Sequence, residues 1–138
     1  MTLIVAIDPG DVHVGFAAFN DELCLWADET SPKGLIDYLI EELPDIDTLV
    51  VERYQLYPHL AAKQHGSDML TSQLIGAIRV LAYQAGVPVV IQQAALKRPT
   101  ESLIHHRDIS RMSFGKGNHA KDAETHGYAY LWRRNDRG

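Results

Sequence analysis

Three carboxylates and one histidine stand where a chain of this kind can do chemistry. Asp8 closes the apolar run Leu3-Ile4-Val5-Ala6-Ile7 and is followed by Pro9-Gly10. Glu52 closes a second run, Thr48-Leu49-Val50-Val51, and His119 and Asp122 stand three apart in "NHAKDAETHGYAY", with His126 four residues further on. Taken singly, each has an ordinary explanation. Asp8 before Pro-Gly is a turn former, Glu52 could pair with Arg53 or Lys63, and Asp122 suits the first turn of a helix through the helix dipole. Taken together they are acids at the ends of buried elements. Two carboxylates brought side by side repel unless a proton or a cation lies between them. Mg²⁺ takes oxygen ligands from one or two carboxylates and completes its octahedron with water and phosphate, so a cation is the simpler solution. Three carboxylates facing two such ions leave a net charge of about +1 to meet a phosphate.

The elements that would have to position these groups can be read from period and punctuation. Residues 3–8 are apolar on both faces, as in a strand buried within a sheet. After the Pro-Gly turn, residues 12–19 form a second strand and residues 23–28 a third, joined by Asn20-Asp21, which makes an antiparallel meander. Ser31-Pro32 opens a helix carrying Leu35, Ile36, Leu39, Ile40 and Leu43 at helical spacing as far as Pro44. Thr48 to Glu52 is a fourth strand. Residues 68–85 form a second helix stopped by Gly86, and residues 87–92 a fifth strand. Residues 93–117 are polar, with a short helix around 101–106, and Asn118 caps a last helix running from His119 to about Arg134.

The order β-β-β-α-β-α-β-α specifies a mixed α/β domain spanning residues 1–138. A right-handed crossover through the first helix lays the fourth strand parallel to the first, which makes Asp8 and Glu52 neighbours at one sheet edge. The small residues Ala120, Ala123 and Gly127 would let the last helix lie close to that sheet and bring His119 and Asp122 to the same edge.

Composition agrees with a single compact core: 138 residues, 46% hydrophobic, with one cysteine, Cys24. With no signal peptide and no stretch of about 20 apolar residues, the expected location is cytoplasmic, with no membrane contact. The net charge is −5, but residues 97–138 hold nine Lys or Arg and five acids. That basic third suits a polyanion, and Lys97, Arg98, Arg107, Arg111, Lys116 and Lys121 are candidates for a DNA path, with Tyr54, Tyr57 and Lys63 after Glu52 available for stacking or phosphate contact.

In this order these motifs resemble the RuvC-type branch of the ribonuclease H-like nucleases, where "IDPG" ends the first strand, a Glu ends the fourth, and a C-terminal helix carries H-x-x-D or D-x-x-D followed by small residues. The resemblance implies a five-stranded sheet, strands 1–3 antiparallel and strands 4 and 5 parallel to strand 1, flanked by helices. It further implies a Holliday-junction resolvase of phage type, acting as a homodimer in a bacterial cell or infected host. Asp8, Glu52 and Asp122 would ligate two Mg²⁺ ions, which Mn²⁺ would replace, with His119 as a further ligand or proton carrier. Departures from the family pattern, such as "ERYQLY" after the fourth-strand acid, bear on junction selectivity. A general nuclease, a ribonuclease H, or an inactive DNA-binding or scaffold protein of the same fold remains open.

Overall fold

The computed structural model describes residues 2–54 and 67–136 of the chain. Five strands form one sheet: β1 (Ile4–Asp8), β2 (Val14–Phe19), β3 (Cys24–Thr30), β4 (Thr48–Glu52) and β5 (Val89–Gln92), in spatial order β3-β2-β1-β4-β5. β1, β2 and β3 pair antiparallel, while β4 and β5 run parallel to β1. This is the mixed sheet that the sequence order implies.

Among the described residues four helices cover the sheet: α1 (Pro32–Glu42), α2 (Ser67–Ala85), α3 (Lys97–His106) and α4 (Asn118–Asp136). The two-residue period of the strands sorts the core onto two faces. Val5, Ile7, Leu49 and Val51 pack with Leu35 and Leu39 of α1 and Leu74 and Ile78 of α2. Ile4, Ala6 and Val50 face the opposite way, against Ile104 of α3 and Ala120, Ala123 and Leu131 of α4. Because both faces of β1 are covered, every residue of that strand is apolar until Asp8.

Several boundaries differ from the sequence reading. β2 begins at Val14, because Val12 and His13 are exposed on the turn that follows Pro9-Gly10. β5 begins at Val89, since Val87 instead returns its N–H to the Ala82 carbonyl to close the end of α2. The largest difference lies in the stretch expected to be mostly irregular. α3 starts at Lys97, preceded by a 3₁₀ turn over Ala94–Leu96. It buries only Thr100 and Ile104, one helical turn apart, so its apolar stripe is too sparse to announce a ten-residue helix. Pro99 falls in its first turn, where no intrahelical N–H is needed.

α4 crosses the sheet closely enough to touch backbone. A Cβ at Gly15 of β2 would meet the carbonyl of His119 and the amide nitrogen of Ala120. The contact is main chain against main chain, so neither side can swing away. We expect Gly15→Ala to destabilise the protein by about 2 kcal/mol, the cost of an overpacked core, measurable as a lower urea midpoint with an unchanged m-value.

Candidate active site

Strand register brings the first two acids together. β1 and β4 are aligned with Ile7 beside Val51, and β4 and β5 with Glu52 beside Gln92. The three strands therefore present Asp8, Glu52 and Gln92 at their carboxyl ends, the edge at which open α/β sheets place ligands. Asp8 is 5% exposed and hydrogen-bonded to Glu52.

The start of α4 is tied to this edge by an acid from the far side of the meander. Glu29, in β3, accepts from the backbone N–H groups of His119 (2.8 Å) and Ala120 (3.2 Å), satisfying two of the open donors that begin every helix and placing an anion at its positive end. Held there, His119 sets Nδ1 2.9 Å from Asp8 Oδ2.

Between the acids stands an ammonium. Lys97, at the start of α3, lies 2.8 Å from Glu52 Oε1 and 3.2 Å from Asp122 Oδ2. One turn beyond Asp122, His126 is fully buried, with Nδ1 2.9 Å from Gln92 Oε1. Its Nε2 faces Glu52 Oε1 at 3.4 Å and has no hydrogen-bond partner among the described residues.

The electrostatics of the acid pair follow from this packing. Burial, the hydrogen bond to Glu52 and the charges of Glu52 and Asp122 push the Asp8 carboxyl far above the ordinary range, although the Lys97 ammonium pulls the other way. Burial also acts to raise Glu52, but the His126 ring, the Asp8 hydroxyl and the Lys97 ammonium outweigh it and hold Glu52 well below its usual value. The two carboxyls titrate as a pair, with Asp8 pushed up and Glu52 pushed down. Lys97 is raised; its own burial opposes the shift, and contact with Glu52 and Asp122 overcomes that opposition.

This arrangement fixes a pH dependence. Unfolded, Asp8 releases its proton near 3.8; folded, it keeps it to a much higher pH. The native pair therefore binds the extra proton above that point, and stability from Asp8 falls as pH rises towards its folded value. Glu52 acts oppositely, adding stability above its ordinary 4.5 that is lost as pH falls through its lowered value. Stability from the pair peaks near the ordinary carboxylate range and declines towards alkaline pH. Urea midpoints at about pH 5 and pH 8 in metal-free buffer should show this decline, and Asp8→Asn should flatten it.

Of the residues singled out by sequence, the fold brings Asp8, Glu52, His119 and Asp122 to one edge. Lys97 joins them inside the cluster, in place of the exposed DNA path expected for it. Arg98 and Lys116 are exposed, and Lys121 is exposed 3.8 Å from Glu101. Arg107 lies over the Trp132 ring at 4.2 Å, and Arg111 is bound to Glu124, Thr125 and the Lys121 carbonyl. Tyr54 follows Glu52 and is half-buried, while Tyr57 and Lys63 lie outside the described residues. Sequence reasoning passed over Gln92 and Glu29. Gln92 had a usable signal, since it ends an apolar strand at the same edge as Asp8 and Glu52.

The donor set is the oxygen-rich one that Mg²⁺ prefers. The residues present fit such an ion. Among the described residues, however, no three His, Cys, Asp or Glu side chains converge as a formed metal site, and Lys97 stands between Glu52 and Asp122.

No protein-family model matches the sequence, and no curated protein sequence matches it. Solved structures do. Thermus thermophilus RuvC in complex with a Holliday junction substrate superposes with a TM-score of 0.68 at 16% identity, covering 98% of this chain and 96% of that one. A second Thermus thermophilus RuvC structure gives 0.64 at 16% identity, covering 98% and 97%. The fold is ribonuclease H-like. At this identity the likeness is one of fold, over nearly the full length of both chains. No helix among the described residues is long and apolar enough to cross a membrane.

Proposed function

We propose that this ribonuclease H-like chain is a divalent-metal-dependent endonuclease that cuts branched DNA, with the four-way Holliday junction as its substrate. The observation that carries the reading is the meeting of acids from elements remote in sequence at the carboxyl edge of the parallel strands: Glu52 and Asp122 share the Lys97 ammonium, and Asp8 lies beside Glu52. The likeness to RuvC solved with a Holliday junction supports the choice of substrate.

In this reading Asp8, Glu52 and Asp122 hold two Mg²⁺ ions, and Mn²⁺ substitutes. Bound there, the ions supply an activated water and charge stabilisation for in-line phosphodiester hydrolysis. The protein's own groups do the rest. As a ligand, Asp8 would have to be ionised and so release its proton. His119 touches Asp8 with its Nδ1 and is 41% exposed, which suits it to pass that proton to solvent. Glu29 fixes the start of α4, and therefore the positions of His119 and Asp122. Arg98, Lys116 and Lys121, with Tyr54, Tyr57 and Lys63 beyond Glu52, supply contacts to DNA. The exposed Leu70, Val80 and Tyr83 of α2 supply the face of a homodimer that nicks two strands symmetrically.

A labelled four-way junction, a flap and a linear duplex, each incubated with the protein and Mg²⁺ or Mn²⁺, test the reading. Paired symmetric nicks confined to the junction are expected; equal cutting of all three would make it a general nuclease. A second reading, an inactive binding protein of the same fold, draws on the Lys97 bridge, which fills the centre of the cluster. Tight junction binding with no nicking in either metal would favour it.

A further inference from the structure

α4 carries a second buried acid that the proposed chemistry does not use. Glu124 is fully buried, and its carboxylate is spent on the segment just before α4. Oε1 accepts from the N–H (3.1 Å) and hydroxyl (2.6 Å) of Ser113 and lies 3.3 Å from Arg111 Nε, while Oε2 accepts from the Met112 N–H (3.0 Å). A buried carboxylate with this many donors pins the backbone of residues 111–113. The residue that follows is Phe114, 91% exposed. Beyond it, Gly115 and Gly117 take positive φ (77° and 112°) and turn the chain back to Asn118. A Cβ at Gly117 would strike the Glu29 carboxylate that caps α4, so the far side of the loop is fixed as well.

A loop built this firmly therefore holds a phenylalanine out in water, and its setting is basic: residues 107–121 contain four Lys or Arg and one acid, with Lys116 and Lys121 exposed. An exposed ring beside cations matches a nucleic-acid strand, whose bases offer faces to stack and whose phosphates offer charge. Phe114 and His119 are five positions apart, so chain length alone keeps their Cα atoms within about 18 Å of each other, and His119 touches Asp8 of the acid cluster.

We infer that Phe114 is a stacking platform for an unpaired or unstacked DNA base near the cleaved phosphate. The occupant is a nucleobase exposed where strands exchange, since bases within a continuous duplex are already stacked. This rests on the endonuclease reading above and names how that site tells branched DNA from linear DNA.

Binding in calcium buffer, by anisotropy of a labelled junction and a linear duplex, tests it with Phe114→Ala, Phe114→Leu and Phe114→Trp. The ring is exposed, so all three should melt as the parent does. Ala and Leu should each weaken junction binding roughly tenfold while leaving duplex binding nearly unchanged, and Trp should restore it. A 2-aminopurine at the exchange point should change emission with the parent protein and not with Phe114→Ala. Parent-like junction binding by Ala and Leu would overturn the inference and leave the endonuclease reading standing, with Phe114 then a contact for protein. If the parent itself binds neither DNA, the endonuclease reading fails and this inference with it.

Discussion

The Asp8→Asn protein is expected to fold, to bind a four-way junction and to lose at least about 100-fold of its cutting rate. Removing a partner that merely orients a metal ligand already costs 10- to 100-fold in such sites, so loss of a ligand should cost more. The fold should survive because the Asp8 carboxyl is already held well above its usual range beside Glu52, so a neutral asparagine amide of nearly the same shape suits the same place. Thermal melting should match or slightly exceed that of the parent at neutral pH, where a carboxyl under pressure to ionise has been replaced by a group that cannot. Parent-like cutting by a well-folded Asp8→Asn protein would remove Asp8 from the chemistry.

Lys97→Met should produce the largest change in stability. Its ammonium bridges Glu52 and Asp122, and the three side chains are 26%, 12% and 29% exposed. Breaking a buried ion pair from one side costs 3–5 kcal/mol, because the remaining charge loses its partner. With partial exposure the expected loss is about 3 kcal/mol in metal-free buffer, or roughly 10 °C in melting temperature for a chain of this size. Millimolar Mg²⁺ should return much of that loss, since a ligand that binds only the folded state stabilises it by an amount that grows with the logarithm of its concentration above Kd. Mn²⁺ should also bind the variant more tightly than the parent, whose ammonium competes for the same carboxylates. A variant that is stable without metal and indifferent to it would mean that Lys97 is a surface lysine and the cluster is not a cation site.

Lys97 also shows where the sequence stopped being informative. The acids were legible because each ends a strand or opens a helix whose apolar pattern fixes its direction. β1 and β4 are apolar on both faces, so they had to be central and adjacent, and their last residues had to share an edge. The His119-x-x-Asp122 spacing fixed those two side chains on one face of α4. Lys97 had no such frame. It begins a helix with two buried residues, and its partners lie 45 and 25 positions away in the chain, a pairing that no local period encodes. It therefore read as one basic residue among several. Arg111 was hidden for the same reason: the buried acid that claims it, Glu124, sits in a helix whose sequence around it looks polar. Glu29 lies in an edge strand of mixed polarity, and its role as the cap of α4 depends on α4 crossing beside Gly15, a tertiary fact.

The proposal depends most directly on whether Asp8, Glu52 and Asp122 take up a divalent cation together. Crystals grown with millimolar Mn²⁺ and measured at the manganese absorption edge decide it. The expected result is an anomalous peak touching oxygens of all three carboxylates, with the Lys97 ammonium moved off the line between Glu52 and Asp122. Saturating Mn²⁺ with no peak at that edge of the sheet, and Lys97 still bridging the two acids, would contradict it.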